Sequence, residues 1–130
     1  MSSQGSVIAR VYTSDAYLPL RNAPVTFTQQ MSDQSEKLLA VRLTDQSGLT
    51  APVFIDTPDL SQSLTPGASS PPYAVIRIRV EYPGYSSLLV EGVQIFSGIE
   101  TVQSLQLRPL SLAQLQSNVP TVYHPAYQNL

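Results

Sequence analysis

The sequence predicts an all-β fold: a two-sheet β-sandwich of seven short strands, followed by an extended C-terminal tail. Apolar and polar residues alternate with period two in several short runs, which is the pattern of half-buried strands. The 11 prolines cluster at the borders of these runs and disfavour long helices. The 130 residues suit one domain with its own core. We assign residues 1–110 to the sandwich and 111–130 to the tail.

Four strands are predicted in the first half of the chain, at residues 6–13, 24–28, 37–44 and 49–56. Their apolar faces consist of Val7, Ala9 and Val11; Val25 and Phe27; Leu39, Val41 and Leu43; and Ala51, Val53 and Ile55. Arg10 and Arg42 lie on the opposite faces of their strands. Pro52 predicts that the fourth strand is a sheet edge, or that its N–H side points to solvent, because proline cannot donate to a ladder.

Three more strands are predicted at residues 73–82, 86–96 and 100–107, after a surface loop rich in Pro, Ser and Thr at 56–72. The inward residues of these strands include Ala74, Ile76, Ile78, Val80, Tyr82, Leu105 and Leu107. Arg77 and Arg79 face outward, and Gly92 predicts either a break or a bulge in its strand. Seven short strands with turns at this spacing predict a two-sheet sandwich.

The segment TDQSGLT, residues 44–50, lies between two predicted strands and fits either a tight turn or a ligand loop. Asp45 can accept hydrogen bonds from backbone N–H groups two or three residues further on. Gly48 can take a positive φ without steric cost. A calcium loop needs several oxygen ligands, and Asp45 is the only acid nearby. We therefore predict a structural turn at Asp45 and Gly48, with no metal and no cofactor.

Composition argues against several classes of function. The net charge is −2 and no basic cluster appears, so a nucleic-acid partner is not expected. Without cysteine there is no disulfide and no Cys-based zinc site. The N-terminus lacks the features of a signal peptide, and no apolar run approaches the length of a membrane span. We expect a soluble chain that does not follow the usual secretory route.

Candidate catalytic groups are few, and no catalytic residue is predicted. A Ser-His-Asp triad would have to use His124, the single histidine, which lies next to a proline in the tail. Asp56 and Asp59 flank Pro58 in the long loop, where paired acids are typical of solvated turns rather than of a glycosidase cleft. Exposed tyrosines are the better candidates for binding, because their rings stack on sugars or anchor protein contacts.

Three motifs carry a family resemblance: a strand that starts after Gly5, the pattern Pro-Leu-x-Asn-Ala-x-Val at 19–25, and the pattern Thr-Asp-x-x-Gly at 44–48. Together they resemble the carboxypeptidase regulatory-like domain, a transthyretin-like sandwich of seven strands. Residues 82–110, YPGYSSLLVEGVQIFSGIETVQSLQLRPL, resemble the domain found in the N-terminal region of spore cortex-lytic enzymes and related peptidoglycan-binding proteins of spore-forming bacteria.

The resemblance implies a non-catalytic structural or interaction module of a spore- or cell-wall-associated assembly. The alternative that it implies is a carbohydrate- or peptidoglycan-binding accessory domain, with peptidoglycan or another glycan as the ligand. Such domains accompany other modules, so we do not expect an enzyme. The absence of a signal peptide fits a protein of the mother-cell cytoplasm that assembles on the spore or cell surface.

The tail is too apolar for a typical disordered end, and its prolines favour an extended conformation. Its candidate interface residues are Val119, Val122, Tyr123, Tyr127 and Leu130. An extended apolar segment can add to a sheet edge or lie in a groove, either in its own domain or in a neighbour. We favour a neighbour, and so expect a protein partner or a homo-oligomer. The strand that contains Pro52 is one candidate edge.

Overall fold

The computed structural model describes residues 3–14, 16–31, 33–58, 73–110 and 121–123. The strands are β1 (Ser3–Thr13), β2 (Pro24–Gln30), β3 (Glu36–Leu43), β4 (Val53–Thr57), β5 (Tyr73–Val80), β6 (Leu88–Phe96), β7 (Glu100–Leu107) and the short β8 (Thr121–Tyr123). The described part of the chain contains no helix, and hence none that could span a membrane.

Strands β1 to β7 form two sheets, which confirms the predicted seven-stranded, two-sheet β-sandwich. One sheet has the order β4-β1-β7, and the other has the order β3-β2-β5-β6 with β8 added next to β6. β1 pairs antiparallel with β4 and parallel with β7, whereas β2, β3, β5 and β6 pair antiparallel. The edges therefore lie at β3, β4, β7 and β8.

The core lies between the sheets and is built from the alternation that the sequence predicts. Its largest fully buried side chains are Phe27, Ile55, Ile76, Ile78, Ile95, Leu105, Leu107, Val7, Val11, Val25, Val80 and Val90. Arg79 is exposed between two of them on β5, as predicted. Fully burying one aliphatic or aromatic side chain stabilises the fold by about 1.5–3 kcal/mol, so these residues dominate its stability.

One predicted face is wrong, that of β3. Val41 and Leu43 do lie opposite Arg42, but they point to solvent, and Arg42 lies on the half-buried inner side. The cause is a register shift in the β2–β3 pairing between Phe27 and Thr28, which inserts one extra residue into β3. An inserted residue reverses the faces beyond it. Leu39 therefore packs against the core, as predicted, while Val41 and Leu43 do not.

The fourth strand is shorter than predicted, and the bulge in β6 is confirmed. β4 begins at Val53, after Pro52, and it is an edge strand, as the proline predicts. Ala51 consequently lies outside the strand and is exposed. In β6 the register shifts next to Gly92, whose φ is +74°. Two residues of β6, Glu91 and Gly92, thus face one residue of β5.

Candidate functional site

Residues 44–50 form a tight turn whose polar atoms are directed at the backbone. Asp45 Oδ1 accepts hydrogen bonds from the backbone N–H of Ser47 at 2.8 Å and of Leu49 at 3.0 Å. The Gly48 N–H donates to the carbonyl of Asp45 at 2.9 Å, and Gly48 has a φ of +77°. The carboxylate thus satisfies two backbone donors inside the turn, which is the structural use of an Asx residue.

The two threonines at the ends of this turn fasten it to other parts of the domain. The Thr44 hydroxyl accepts from the Ala23 N–H at 2.9 Å and donates to the Leu20 carbonyl at 2.5 Å. The Thr50 hydroxyl accepts from the N–H of Ala9 in β1 at 3.0 Å. Thr44 and Thr50 are both buried. Their side chains thereby join the three sequence motifs into one packed junction.

Gly48 lies where this junction is tightest. Its carbonyl accepts a hydrogen bond from the Val11 N–H at 2.7 Å. A Cβ atom added to Gly48 would collide with the Val11 carbonyl oxygen and would lie 3.1 Å from Pro19 Cβ. Both the positive φ and the close approach of β1 therefore require glycine. The junction thus holds strands in register. In the described ranges, no cluster of three His, Cys, Asp or Glu residues could hold a metal ion.

The β6 edge of the larger sheet is covered by the tail strand β8. Leu88, Leu89 and Val90 pair in parallel with Thr121, Val122 and Tyr123, respectively. The tail strand therefore adds to β6 and not to β4, the strand that follows Pro52. Of the predicted interface residues, Val122 and Tyr123 are in β8, whereas Val119, Tyr127 and Leu130 lie outside the described residues. His124 and Asp59 also lie outside them.

The opposite edge of the same sheet is β3, which pairs with β2 and with no other strand in the described part of the chain. It exposes three aliphatic side chains: Leu38 is 61%, Val41 49% and Leu43 61% exposed. Sequence reasoning missed this surface because it assigned Val41 and Leu43 to the core. A strand with exposed aliphatic residues at a sheet edge is a ready surface for pairing with another strand.

The exposed Tyr17 lies beside the half-buried Tyr12 at the end of the smaller sheet. The Tyr12 and Tyr17 rings are 5.8 Å apart, with an interplanar angle of 39°, and the Arg10 guanidinium lies 5.6 Å from the Tyr12 ring centroid. Tyr17 is 68% exposed. The other aromatic pairs, Tyr73–Phe96 and Tyr82–Tyr85, are inclined at 56° and 73°. Since each of these pairs is tilted, none of the three forms a coplanar platform.

A shallow depression of ≈ 510 Å³ lies on the outer face beside the β6 bulge, lined by Gln30, Met31, Val75, Ile76, Arg77, Glu91 and Gly92. The one positively charged side chain that lines it, Arg77, already contacts neighbouring side chains. Arg77 donates to Gln30 Oε1 at 3.0 Å and lies 3.9 Å from the Glu36 carboxylate. Glu91 is the one acidic side chain that lines the depression.

The β2–β3 turn contains a titratable group with a shifted pKa. The Ser35 hydroxyl and the Ser35 backbone N–H both donate to Asp33 Oδ1, at 2.5 and 2.9 Å. These hydrogen bonds favour the charged form and hold the pKa of Asp33 below its ordinary value. The carboxylate is fully exposed, so this shift marks a turn and not a catalytic acid.

No protein-family model and no curated protein sequence matches the chain. Several solved structures share its fold. The TIE protein of Bacillus anthracis is 11% identical, with a TM-score of 0.52 over 83% of this chain and 17% of that one. GBS52, the minor pilin of Streptococcus agalactiae, is also 11% identical, with a TM-score of 0.53 over 85% of this chain and 47% of that one.

A third solved structure with this fold is an enzyme. The 3-chlorocatechol 1,2-dioxygenase of Rhodococcus opacus 1CP is 12% identical, with a TM-score of 0.53 over 85% of this chain and 62% of that one. The chain thus spans less than two thirds of each of these three proteins. At such identities the likeness concerns the fold alone, and a fold that serves both a pilin and a dioxygenase does not decide the function.

Proposed function

We propose that the chain is a non-catalytic structural or interaction module of a spore- or cell-wall-associated assembly, and that it makes its contacts by adding strands to sheet edges. The observation that carries this proposal is the parallel pairing of the tail strand β8 with the β6 edge. Strand addition supplies affinity through main-chain hydrogen bonds and needs no preformed pocket.

The short length of β8 supports exchange of this strand between molecules. It comprises 3 residues and pairs in parallel, a geometry slightly less stable per residue than the antiparallel one. The segment 111–120 that precedes it reaches at most roughly 35 Å when fully extended. A weakly held strand on a segment of that reach can leave its own β6 edge and occupy that of a neighbour, as in domain swapping.

The shared fold is compatible with such a role, because a minor pilin is among the proteins that have it. The described residues also favour a structural module over an enzyme. In the motif at 44–50, the Asp45 carboxylate and the Thr44 and Thr50 hydroxyls are hydrogen-bonded to the backbone. Arg77 in the surface depression is hydrogen-bonded to Gln30. The partner that we propose is accordingly a protein, either another copy of this chain or a different subunit.

A labelled peptide of residues 111–130 tests strand addition at β6. The acceptor is the full chain carrying Val122→Pro, which removes a backbone N–H from β8 and so weakens the resident strand. We expect the peptide to bind this variant more tightly than it binds the wild-type chain, in fluorescence anisotropy. The matched control is the same peptide with its own Val122→Pro change, which should bind neither. If the unmodified peptide binds neither chain, strand addition at β6 is wrong.

The location is tested separately, by fractionating cells that express the native protein. We expect it to remain with the insoluble wall or spore material. Recovery from the soluble fraction alone would contradict the cell-wall and spore part of the proposal.

The alternative function, binding of peptidoglycan or another glycan, is favoured by the group of Arg10, Tyr12 and Tyr17, of which Arg10 and Tyr17 are exposed. Aromatic rings and an arginine at one sheet end provide stacking and hydrogen-bonding partners for a sugar. Co-sedimentation with purified peptidoglycan tests it, with Tyr17→Ala as the variant. Binding that is lost in Tyr17→Ala would favour the accessory-domain role, and absence of wild-type binding would exclude peptidoglycan as the ligand.

A further inference from the structure

The backbone of β3 directs a row of donors and acceptors to the open edge of the sheet. The Thr44 N–H donates to the Ala23 carbonyl, so this pair is a hydrogen-bonded one. Hydrogen-bonded pairs recur at every second residue, and the next two between β2 and β3 are Val25–Arg42 and Phe27–Ala40. In an antiparallel ladder the intervening residues point their N–H and C=O groups the other way. Val41 and Leu43 therefore direct theirs to the open edge. The hydrogen bond from Arg42 Nη1 to the Val41 carbonyl at 3.1 Å agrees with this assignment.

The register shift continues this pattern on the other side of the bulge. Thr28 pairs with Leu38 and Gln30 with Glu36, and both of these β2 residues are out of phase with Phe27. Leu38 and Glu36 consequently also direct their backbone groups to the open edge. The four edge-facing residues of β3 are thus Glu36, Leu38, Val41 and Leu43, and their side chains share the outer face of the sheet.

The spacing of these four residues is self-complementary. When a second β3 runs antiparallel about a two-fold axis, Leu38 meets Val41 of the second copy, and Glu36 meets its Leu43. All four edge-facing residues are then paired at once, and the two bulges face each other. A two-fold interface requires one surface to match itself in this way. The centre of the contact consists of two Leu38 and two Val41 side chains, which are exposed in the single chain.

We infer that β3 is a homodimerisation edge, at which two copies of this chain join their larger sheets into one continuous antiparallel sheet. The tail strand β8 lies on the opposite edge of that sheet, next to β6, so it does not compete for β3. The β3 contact thus goes beyond the proposed strand addition at β6 and does not depend on it.

The expected dimer is weak and reversible. One pair of strands buries less than the roughly 1,200 Å² that stable complexes need. Lys37 also faces Arg42 of the second copy in this register, and like charges directly opposite one another are destabilising. We therefore expect dissociation constants in the micromolar to millimolar range, with monomers prevailing in dilute solution.

Cysteine cross-linking tests both the contact and its register. The chain has no cysteine, so each introduced thiol is unique. Residues paired directly by hydrogen bonds across an antiparallel ladder have Cα atoms about 5.5 Å apart, within the range of a disulfide. We expect an equimolar mixture of the L38C and V41C full-length chains to form a disulfide-linked heterodimer under mild oxidation. Each variant alone should cross-link far less, because identical positions are separated by at least roughly 7 Å. Equal cross-linking in the mixture and in the separate variants would refute the register.

Light scattering tests the contact without new thiols, at concentrations up to the millimolar range. We expect Val41→Lys to weaken the dimer at least tenfold, because it places one lysine on each side of the dyad, where the exposed Val41 side chains would otherwise pack against Leu38. The matched control is Val102→Lys, the same change at a similarly exposed valine (56%) on the outer face of the other sheet. Circular dichroism checks that both variants are folded. A wild-type chain that stays monomeric, or two lysine variants that behave alike, would overturn the inference.

The experiments distinguish failure of the proposed β3 dimer from failure of the proposed strand addition at β6. The peptide assay reports on the β6 edge alone, because the peptide lacks β3. The cysteine pair reports on β3 alone, because neither position lies near the β6 edge. Leu38–Val41 cross-linking without peptide binding would leave the β3 dimer standing and remove the tail mechanism.

Discussion

Three glycines allow the cost of backbone strain to be separated from the cost of a steric collision in this fold. For the substitution of each by alanine we predict the loss in the free energy of unfolding. Gly98 has a φ of +72° and open space around a would-be Cβ. Gly5 lies on β1 without a positive φ, but its Cβ would collide with the Phe96 carbonyl oxygen and lie 2.8 Å from Ile95 Cγ2. Gly48 combines a φ of +77° with a collision against the Val11 carbonyl oxygen. The three sites thus represent strain alone, collision alone and both together.

The expected losses in the free energy of unfolding follow from these environments. Gly98→Ala should cost about 1–2 kcal/mol, the usual penalty of a left-handed non-glycine residue. Gly5→Ala should cost about 1–3 kcal/mol, as overpacking of a close contact does. Gly48→Ala carries both penalties, and the shift that it forces weakens the 2.7 Å hydrogen bond from Val11 N–H, which contributes about 1 kcal/mol. We expect a total of about 3–6 kcal/mol, a large part of the stability of a small domain.

Urea unfolding of the full chain, with the slope m checked for constancy, measures all three changes. The melting temperature should fall by roughly 4 °C for each kcal/mol in a domain of this size. If Gly48→Ala loses no more than Gly98→Ala, β1 does not press against the turn, and the junction of the three motifs is not what fixes the strands. If Gly5→Ala is neutral, the two sheets have room to separate at that point.

Three further substitutions test the core, the junction and the β2–β3 turn. Ile78→Ala should cost about 2–5 kcal/mol because its side chain is fully buried, whereas Arg79→Ala should change stability by about ±0.5 kcal/mol; the opposite ranking in urea would mean that the faces of β5 are inverted. Thr44→Val should cost about 1–3 kcal/mol because it leaves the buried Ala23 N–H without its acceptor, and Thr26→Val on the outer face is its control, so equal melting temperatures would contradict the role of the hydroxyl. NMR titration should find Asp33 ionising below its ordinary pKa, and Ser35→Ala should raise that pKa; because the folded-state pKa is depressed, the stabilisation is present above the unfolded value and is lost as the pH falls through the folded one. An unchanged titration in Ser35→Ala would assign the shift to another cause.

The strand faces that follow from local alternation were predictable from the sequence. Val7 and Val11 in β1, and Ile76 and Ile78 in β5, face the core because a pleated strand places alternate side chains on one face. The turn at Asp45 and Gly48 could be read in the same way, since an Asx residue and a glycine at that spacing supply their own hydrogen-bonding and conformational requirements.

The exposed face of β3 could not be predicted, because its cause is not local. The bulge opposite Phe27 is visible only when β2 and β3 are paired, and nothing in the sequence EKLLAVRL marks which residue is inserted. A period-two count carried through the bulge places Val41 in the core, whereas it is 49% exposed. The candidate surface was therefore hidden by the same error. The pairing of the tail strand β8 with β6 could not be predicted either, because parallel strands are not joined by a tight turn that would mark them as partners in the sequence.

The sheet edges of this sandwich differ in how well they are protected against further pairing, and this difference orders the two proposals. β4 is short, with 5 residues, and follows a proline, two features that blunt an edge. β6 is covered by β8 in the described structure. β3 has 8 residues without a proline and with three exposed aliphatic side chains, and its charges lie near its two ends.

An edge left open in this way would lead to aggregation unless a specific contact limits it. A two-fold dimer does so, because pairing two β3 edges consumes both of them and leaves none to propagate. The β3 contact is thus expected to stop at two copies.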